Sequence, residues 1–380
     1  MKSFEKTVNI ITAKSVAQLH PYTPGKPEKE LKRELGIDEV YKLASNENPH
    51  GPSTQVKDAI TRALDQLHRY PDGAGFDLRQ AISQRFFVQS EQITLGNGSS
   101  DILEFVVRAF VNPGESVVVS QHAFAIYELA TQQIGGEIIK VPALNFGHDL
   151  LRMAQAVQQN TKVVFIANPN NPTSTWCNET ELRQFLSSVP EHVIVVLDEA
   201  YGEYMEHLDQ AVGGWPNSVQ LLEEFPNLVV TRTFSKVYGL AALRVGFGLS
   251  HPLVADRLNR VRPPFNVNLL GQVAAVAALR DLSHLESLVA TNHQGLAQLA
   301  EGFKQLDIAF LPSKVNFITF FVGERDARSI YHSLLQRGVI VRPLANYDLP
   351  NALRVSVGTE RENQIFIDGF REVMDVLSDQ

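Results

Sequence analysis

One lysine stands among residues suited to holding an anion. In Thr231-Arg-Thr-Phe-Ser-Lys-Val-Tyr-Gly-Leu-Ala-Ala-Leu-Arg244, Lys236 follows the apolar run Leu228-Val-Val and precedes Arg244-Val-Gly-Phe-Gly-Leu. Thr233, Ser235 and Arg244 bracket it. Two hydroxyls and a guanidinium match a phosphate, because arginine presents a planar fork of donors. An amine beside a phosphate site points to covalent capture of an aldehyde cofactor, pyridoxal phosphate, held at both ends. The ordinary alternative is a solvated lysine after a strand, so the reading needs support elsewhere.

Three further stretches supply it. In Leu95-Gly-Asn-Gly-Ser-Ser-Asp-Ile, a strand ends, glycines turn, and a helix begins near Ser99. The free N–H groups of Ser99 and Ser100, with the helix dipole behind them, form an anion cradle in principle; an ordinary capped helix has the same signature. In Asn168-Pro-Asn-Asn-Pro-Thr-Ser-Thr, two X-Pro bonds keep the loop out of helix, so Asn171 is presented rigidly after a buried run. Its amide can reach a ring oxygen, and a plain turn is the alternative. Asp198 closes the apolar run Val193-Ile-Val-Val-Leu. A carboxylate there is costly unless it meets a cation or donors. A protonated pyridine nitrogen is such a partner; capping a helix is the other use. Tyr201, three residues on, can turn its hydroxyl toward the same ring. Phe124 follows another strand end and can stack on a flat ring or simply fill core. Arg342 and Arg354 lie in otherwise apolar strands, which suggests bound anions or internal salt bridges. His50, His122 and Cys177 read as structural.

Composition narrows the class. The chain has 380 residues, 44% apolar and 20% charged, as in a soluble protein of about two domains. Its net charge is −8, from 34 basic and 42 acidic residues, so nothing favours nucleic acid or anionic lipid. The single cysteine, Cys177, permits no intrachain disulfide and suits a reducing cytoplasm. No apolar run is long enough for a bilayer or forms a signal-peptide core. The eleven histidines show no metal-ligand spacing.

The elements that must position these residues follow a clear rhythm. From Ile93, short apolar runs alternate with helical stretches: Ile93-Thr-Leu, Ser116-Val-Val-Val, Ile138-Ile-Lys-Val, Lys162-Val-Val-Phe-Ile, Val193-Ile-Val-Val-Leu, Leu228-Val-Val and Arg244-Val-Gly-Phe. That pattern predicts an α/β fold, a mostly parallel sheet with helices on both faces. Ligands of such sheets sit at the carboxyl ends of the strands, where every motif above falls. Thr54–Leu67 and Asp77–Phe87 are expected as helices before the sheet. The pattern changes after Arg262-Pro-Pro-Phe-Asn-Val-Asn268 to long helices, then strands at 316–321, 339–342 and 352–357 and a last helix from Glu360. The expected organisation is an N-terminal arm and first small-domain segment (1–47), a large cofactor-binding domain (48–265) and a small α+β domain (266–380).

Together these residues resemble the fold-type I pyridoxal phosphate aminotransferases and, within them, the histidinol-phosphate aminotransferase family. The pieces that carry the resemblance are Ser45-Asn-Glu-Asn-Pro, Arg69-Tyr-Pro-Asp, Asn168-Pro-Asn-Asn-Pro-Thr, Asp198-Glu-Ala-Tyr and Phe234-Ser-Lys-Val-Tyr-Gly-Leu-Ala-Ala-Leu-Arg. The resemblance implies that Lys236 holds the aldehyde carbon and Asp198 the ring nitrogen. Asn171 and Tyr201 would bond the ring oxygen, and Phe124 would stack on the ring. Ser99, Ser100, Thr233, Ser235 and Arg244 would hold the cofactor phosphate. Tyr70 would reach the phosphate of a partner subunit, so a homodimer is implied. Arg354 would take the substrate α-carboxylate. Tyr22, Asn48 and Arg342 would contact its distal end, including a phosphate. One departure is Ser174, where the family usually has glycine.

The implied reaction moves an amino group between L-histidinol phosphate and 2-oxoglutarate in two half-reactions, with Lys236 as general base then acid. Its other products are imidazole-acetol phosphate and glutamate, and it belongs to histidine biosynthesis. An aromatic amino-acid aminotransferase and a threonine-phosphate decarboxylase share these motifs. A non-catalytic regulator on this fold would need a basic DNA-binding helix, which residues 1–47 lack.

Overall fold

The computed structural model describes residues 12–17, 19, 25–206 and 214–378. Tyr22 lies outside these residues. A pair of residues, β1 (Tyr41–Lys42), precedes the main sheet. The apolar runs form its seven strands: β2 (Ile93–Gly96), β3 (Ser116–Ser120), β4 (Glu137–Val141), β5 (Thr161–Ala167), β6 (Ile194–Asp198), β7 (Leu228–Thr233) and β8 (Gly246–Ser250). Their order is β2-β8-β7-β6-β5-β3-β4. Strands β7, β6, β5, β3 and β4 run parallel, while β8 is antiparallel to both its neighbours. Glu137 and Lys140 stay exposed on edge strand β4, where charges discourage further pairing.

Alternate residues of the central strands β3, β5, β6 and β7 feed two separate cores, which is why those runs lack polar alternation. On one face Val164, Ile166, Val195, Leu197 and Val230 pack with Leu78, Ile82, Phe185 and Ala274. On the other, Val163, Phe165, Val196 and Val229 pack with Ile102, Phe105, Tyr127 and Leu258. The helix Leu269–Arg280 contacts helices Thr54–Ala63 and Phe76–Phe86, so the first core continues past residue 265.

The second unit is a three-stranded antiparallel sheet, β11-β12-β9, made of β9 (Phe317–Phe321), β11 (Arg342–Pro343) and β12 (Ala352–Ser356). Its core gathers Phe303, Phe320, Phe366 and Phe370 with Leu43 from the N-terminal segment. β10 (Val339–Ile340) pairs in parallel with β1. The single strand expected at 339–342 is therefore two: the chain pairs with β1, then changes partner to β12 after Val341. The helix expected over 54–67 ends at Ala63 and continues as a tighter turn through Gln66.

Candidate active site

Strand register assembles the site. Asp198 at the end of β6 lies opposite Ala167 of β5 and Thr231 of β7. The cavity at these strand ends, about 170 Å³, is lined by Ser99, Ser100, Phe124, Asn171, Asp198, Tyr201, Thr233, Ser235, Lys236 and Arg244, together with Tyr127. Ten residues read from the sequence as cofactor ligands thus line one cavity.

Asp198 is 5% exposed. Its Oδ2 accepts from the Tyr127 hydroxyl at 2.7 Å and its Oδ1 from Thr231 Oγ1 at 2.8 Å. Burial raises its carboxyl above the ordinary range, and these donors oppose that rise. Lys236 Nζ donates to the Ser45 carbonyl at 3.1 Å. Burial first, and then the nearby Arg354 charge, bring its amine down to about 8. A neutral amine is thus accessible near neutral pH, as a nucleophile or base requires.

At the far end, the helix Ser99–Phe110 starts after Gly98 without a side-chain cap. Gly98 has φ +82°, and a Cβ there would stand 2.6 Å from Arg244 Nη2. A Cβ on Gly246 would stand 2.3 Å from the Ser99 nitrogen. These glycines let the helix start and the guanidinium close on one another. Arg244 Nη1 donates to Ser235 Oγ at 3.0 Å, which leaves the Ser235 hydrogen to donate elsewhere. The result is a set of backbone, hydroxyl and guanidinium donors at one end of the cavity.

Two side chains between these ends are set as donors. Tyr201 OH accepts from Asn46 Nδ2 at 2.8 Å, which leaves its own hydrogen for the cavity. Burial pushes its hydroxyl up to about 12, so it stays protonated. Asn171 Oδ1 accepts from Arg354 Nη1, which leaves the Asn171 amide hydrogens to donate.

Residues assigned to substrate are distributed differently. Arg354 reaches the site through Asn171, and its Nη2 donates to the Ala44 carbonyl at 2.8 Å. Arg342 lies in register with Arg354 across β11 and β12 and lines a cleft of about 700 Å³ with Lys26, His122 and Lys140. Asn48 does not line the cofactor cavity; its amide donates to the Val237 carbonyl at 2.7 Å, bracing the loop after Lys236. Tyr70 is 82% exposed and stacks on Phe265 at 4.8 Å. Of the histidines read as structural, His122 meets the Tyr347 carbonyl at 2.5 Å.

Sequence reading missed Tyr127, Thr231 and Asn46 as parts of the site. Tyr127 lies three residues after Phe124, and Asn46 is inside a motif already singled out. Neither spacing nor residue type distinguished Asn46 from Asn48. Ser174 adopts φ +58°, a region that favours glycine, and its hydroxyl donates to the Pro312 carbonyl at 3.0 Å.

The donor set fits pyridoxal phosphate: an anion cradle, an amine, two edge donors and a buried carboxylate lacking an ion-pair partner among the described residues. Comparisons with known proteins agree. The family model "Aminotransferase class I and II" matches residues 38–370. Histidinol-phosphate aminotransferase 2 of Pseudomonas fluorescens (strain Pf0-1) is 53% identical over 361 residues, 94% of this chain and 96% of that relative. Histidinol-phosphate aminotransferase 1 of Nitrosococcus oceani is 50% identical over 365 residues, 96% of this chain and 97% of the relative. Among solved structures, histidinol-phosphate aminotransferase from Sinorhizobium meliloti, in complex with pyridoxal-5'-phosphate, superposes with a TM-score of 0.89 at 28% identity, covering 98% of this chain and 99% of that one.

Proposed function

The chain belongs to the aminotransferase class I and II family, within its histidinol-phosphate aminotransferase members, and on that premise we propose that it exchanges an amino group between L-histidinol phosphate and 2-oxoglutarate in histidine biosynthesis. The observation that carries the reading is the convergence of Lys236, Asp198 and the Ser99 helix start on one cavity.

Bound pyridoxal phosphate supplies an aldehyde that takes and returns the amino group and a ring that accepts electrons. The protein residues do the rest. Ser99, Ser100, Thr233, Ser235 and Arg244 hold the phosphate and fix the ring's position. Asp198 holds a proton at the ring nitrogen. Asn171 and Tyr201 donate to the ring oxygen, and Phe124 covers a ring face. Lys236, neutral once its proton is lost near pH 8, binds the aldehyde carbon at rest. Once released it would move the substrate α-proton to the aldehyde carbon, as base and then acid, and the second half-reaction would run the same transfer in reverse.

Arg354 takes the α-carboxylate, already standing beside Asn171. Arg342 takes the distal carboxylate or phosphate, helped by Tyr22 and Asn48. The exposed Tyr70 ring serves the phosphate site of a second copy, so the working unit is a homodimer; the free Cys177 suits a cytoplasmic setting. Phe265, stacked on Tyr70 and itself exposed, adds apolar area for that face to bury. The organisation is the arm with its first small-domain segment (1–47), the large domain (48–265) and the small domain (266–380), whose first helix, Leu269–Arg280, packs on the large domain's core.

A substrate panel tests the reading. With glutamate as donor, kcat/KM for imidazole-acetol phosphate should exceed that for phenylpyruvate, and no carbon dioxide should leave phosphorylated amino acids. Preference for phenylpyruvate, or carbon dioxide release, would overturn it. Sedimentation should give a dimer.

A further inference from the structure

Asp198 is a buried carboxylate whose two oxygens each accept from a neutral hydroxyl. Tyr127 reaches Oδ2 and Thr231 reaches Oδ1. Among the described residues it forms no ion pair, and Lys236 attracts it only from beyond ion-pair distance. The buried Arg232 is the contrasting case. It is held directly by Glu199, Glu203 and Glu206.

The two donors are themselves fixed. Thr231 lies opposite Asp198 in the β6–β7 ladder. Tyr127 is fully buried; its ring stacks on Phe165 at 4.6 Å, nearly parallel, and meets Phe124 edge-on at 5.9 Å. It comes from the helix Ile126–Gln133, on the face of the sheet that carries Phe165. The phenol therefore has little freedom to leave the carboxylate. Burial drives its own ionisation far above the ordinary range, so it remains a donor.

Each carboxylate oxygen has lone pairs for more than one donor. One neutral hydroxyl on each oxygen, with the Ala200 N–H as a further neutral donor, satisfies part of that capacity without contributing positive charge. The remaining attraction is reserved for a cation arriving from the cavity. A lysine or arginine in the same position would neutralise the carboxylate and compete with a protonated ring nitrogen.

We propose that Tyr127 is a positioning residue that, with Thr231, holds Asp198 as an aimed anion whose counter-charge is supplied by the protonated ring nitrogen of the cofactor. The inference rests on the cofactor reading given under the proposed function. It assigns Tyr127 a task that is electrostatic, so its effect depends on whether the ligand can carry a proton at that ring position.

The experiment measures binding of two probes to the cofactor-free protein: pyridoxal phosphate, and its 1-deaza analogue, in which carbon replaces the ring nitrogen. Tyr127→Phe should weaken pyridoxal phosphate about ten- to a hundredfold, the scale of one hydrogen bond to a charged group. It should leave the deaza analogue within about twofold of the unaltered protein. Thr231→Val, which touches the other oxygen from another element, should show the same selectivity, and this second variant decides the matter if Tyr127→Phe does not fold. Equal weakening of both probes, or of neither, overturns the inference while leaving the cofactor reading intact. Failure of the unaltered protein to bind pyridoxal phosphate overturns both.

Discussion

Arg354, on a small-domain strand, donates through Nη1 to Oδ1 of Asn171, on the loop after β5. Its other terminal nitrogen donates to the Ala44 carbonyl at 2.8 Å. The same guanidinium is the second cause, after burial, of the lowered Lys236 amine. One residue thus links the proposed carboxylate site, the loop amide and the amine. Replacing Arg354 with Ala should lower kcat/KM for glutamate by about a hundredfold or more, the scale of two charge-assisted hydrogen bonds. Steady-state kinetics check this, and retention of the bound cofactor's absorbance separates it from a collapsed site.

Lys236 gives a pH dependence. Its proton is lost near pH 8 instead of in the ordinary lysine range, because burial and the Arg354 charge disfavour the cation. Only the neutral amine attacks an aldehyde. Capture of pyridoxal phosphate by the cofactor-free protein should therefore quicken with pH by about tenfold per unit, then level off above about 8. In Arg354→Ala the levelling should move to higher pH. Stopped-flow absorbance across a pH series reads both.

Asp198→Asn should separate chemistry from folding. The amide keeps the shape but loses the charge that would hold a ring proton. We expect kcat to fall about a hundred- to a thousandfold, the range for losing a preorganised electrostatic contact. The cofactor-free variant should melt no lower than the unaltered protein, because a buried charge without an ion pair has been removed. Kinetics and thermal melting on the same preparation test this.

Arg232 presents the opposite case. It is buried between Glu199, Glu203 and Glu206, and stacks over Phe86 at 5.4 Å. Arg232→Met should cost about 3–5 kcal/mol near neutral pH, since it strands buried carboxylates. Burial already raises Glu199 and Glu203 to about 7. Carboxyls raised above their unfolded value favour the fold at low pH and lose that contribution as pH climbs through the folded value. Without the guanidinium those values rise further, so the deficit should be larger at pH 8 than at pH 5. Urea unfolding at the two pH values measures it.

Much of this was legible in the chain. Buried strands read as unbroken apolar runs because helices cover both faces, and the chemistry-bearing residues punctuate their ends. Asp198 and Lys236 stood out because a charge beside an apolar run needs a reason. Tyr127 did not, because an aromatic on a helix reads as core until the fold brings its hydroxyl to Asp198 from 71 positions away. Asn46 and Asn48 share a motif, and only the fold turns Asn46 to Tyr201 and Asn48 to the Val237 carbonyl. The change of strand partner at Val341 was likewise invisible, since it depends on Tyr41–Lys42 arriving from the other end of the chain.

The most direct measurement concerns the amine at position 236. The purified protein should be treated with borohydride, digested with trypsin and analysed by mass spectrometry. A phosphopyridoxyl group is expected on Lys236, carried on the uncleaved peptide Thr233–Arg244. A peptide cut after an unmodified Lys236, with the group on another lysine or on none, would contradict it.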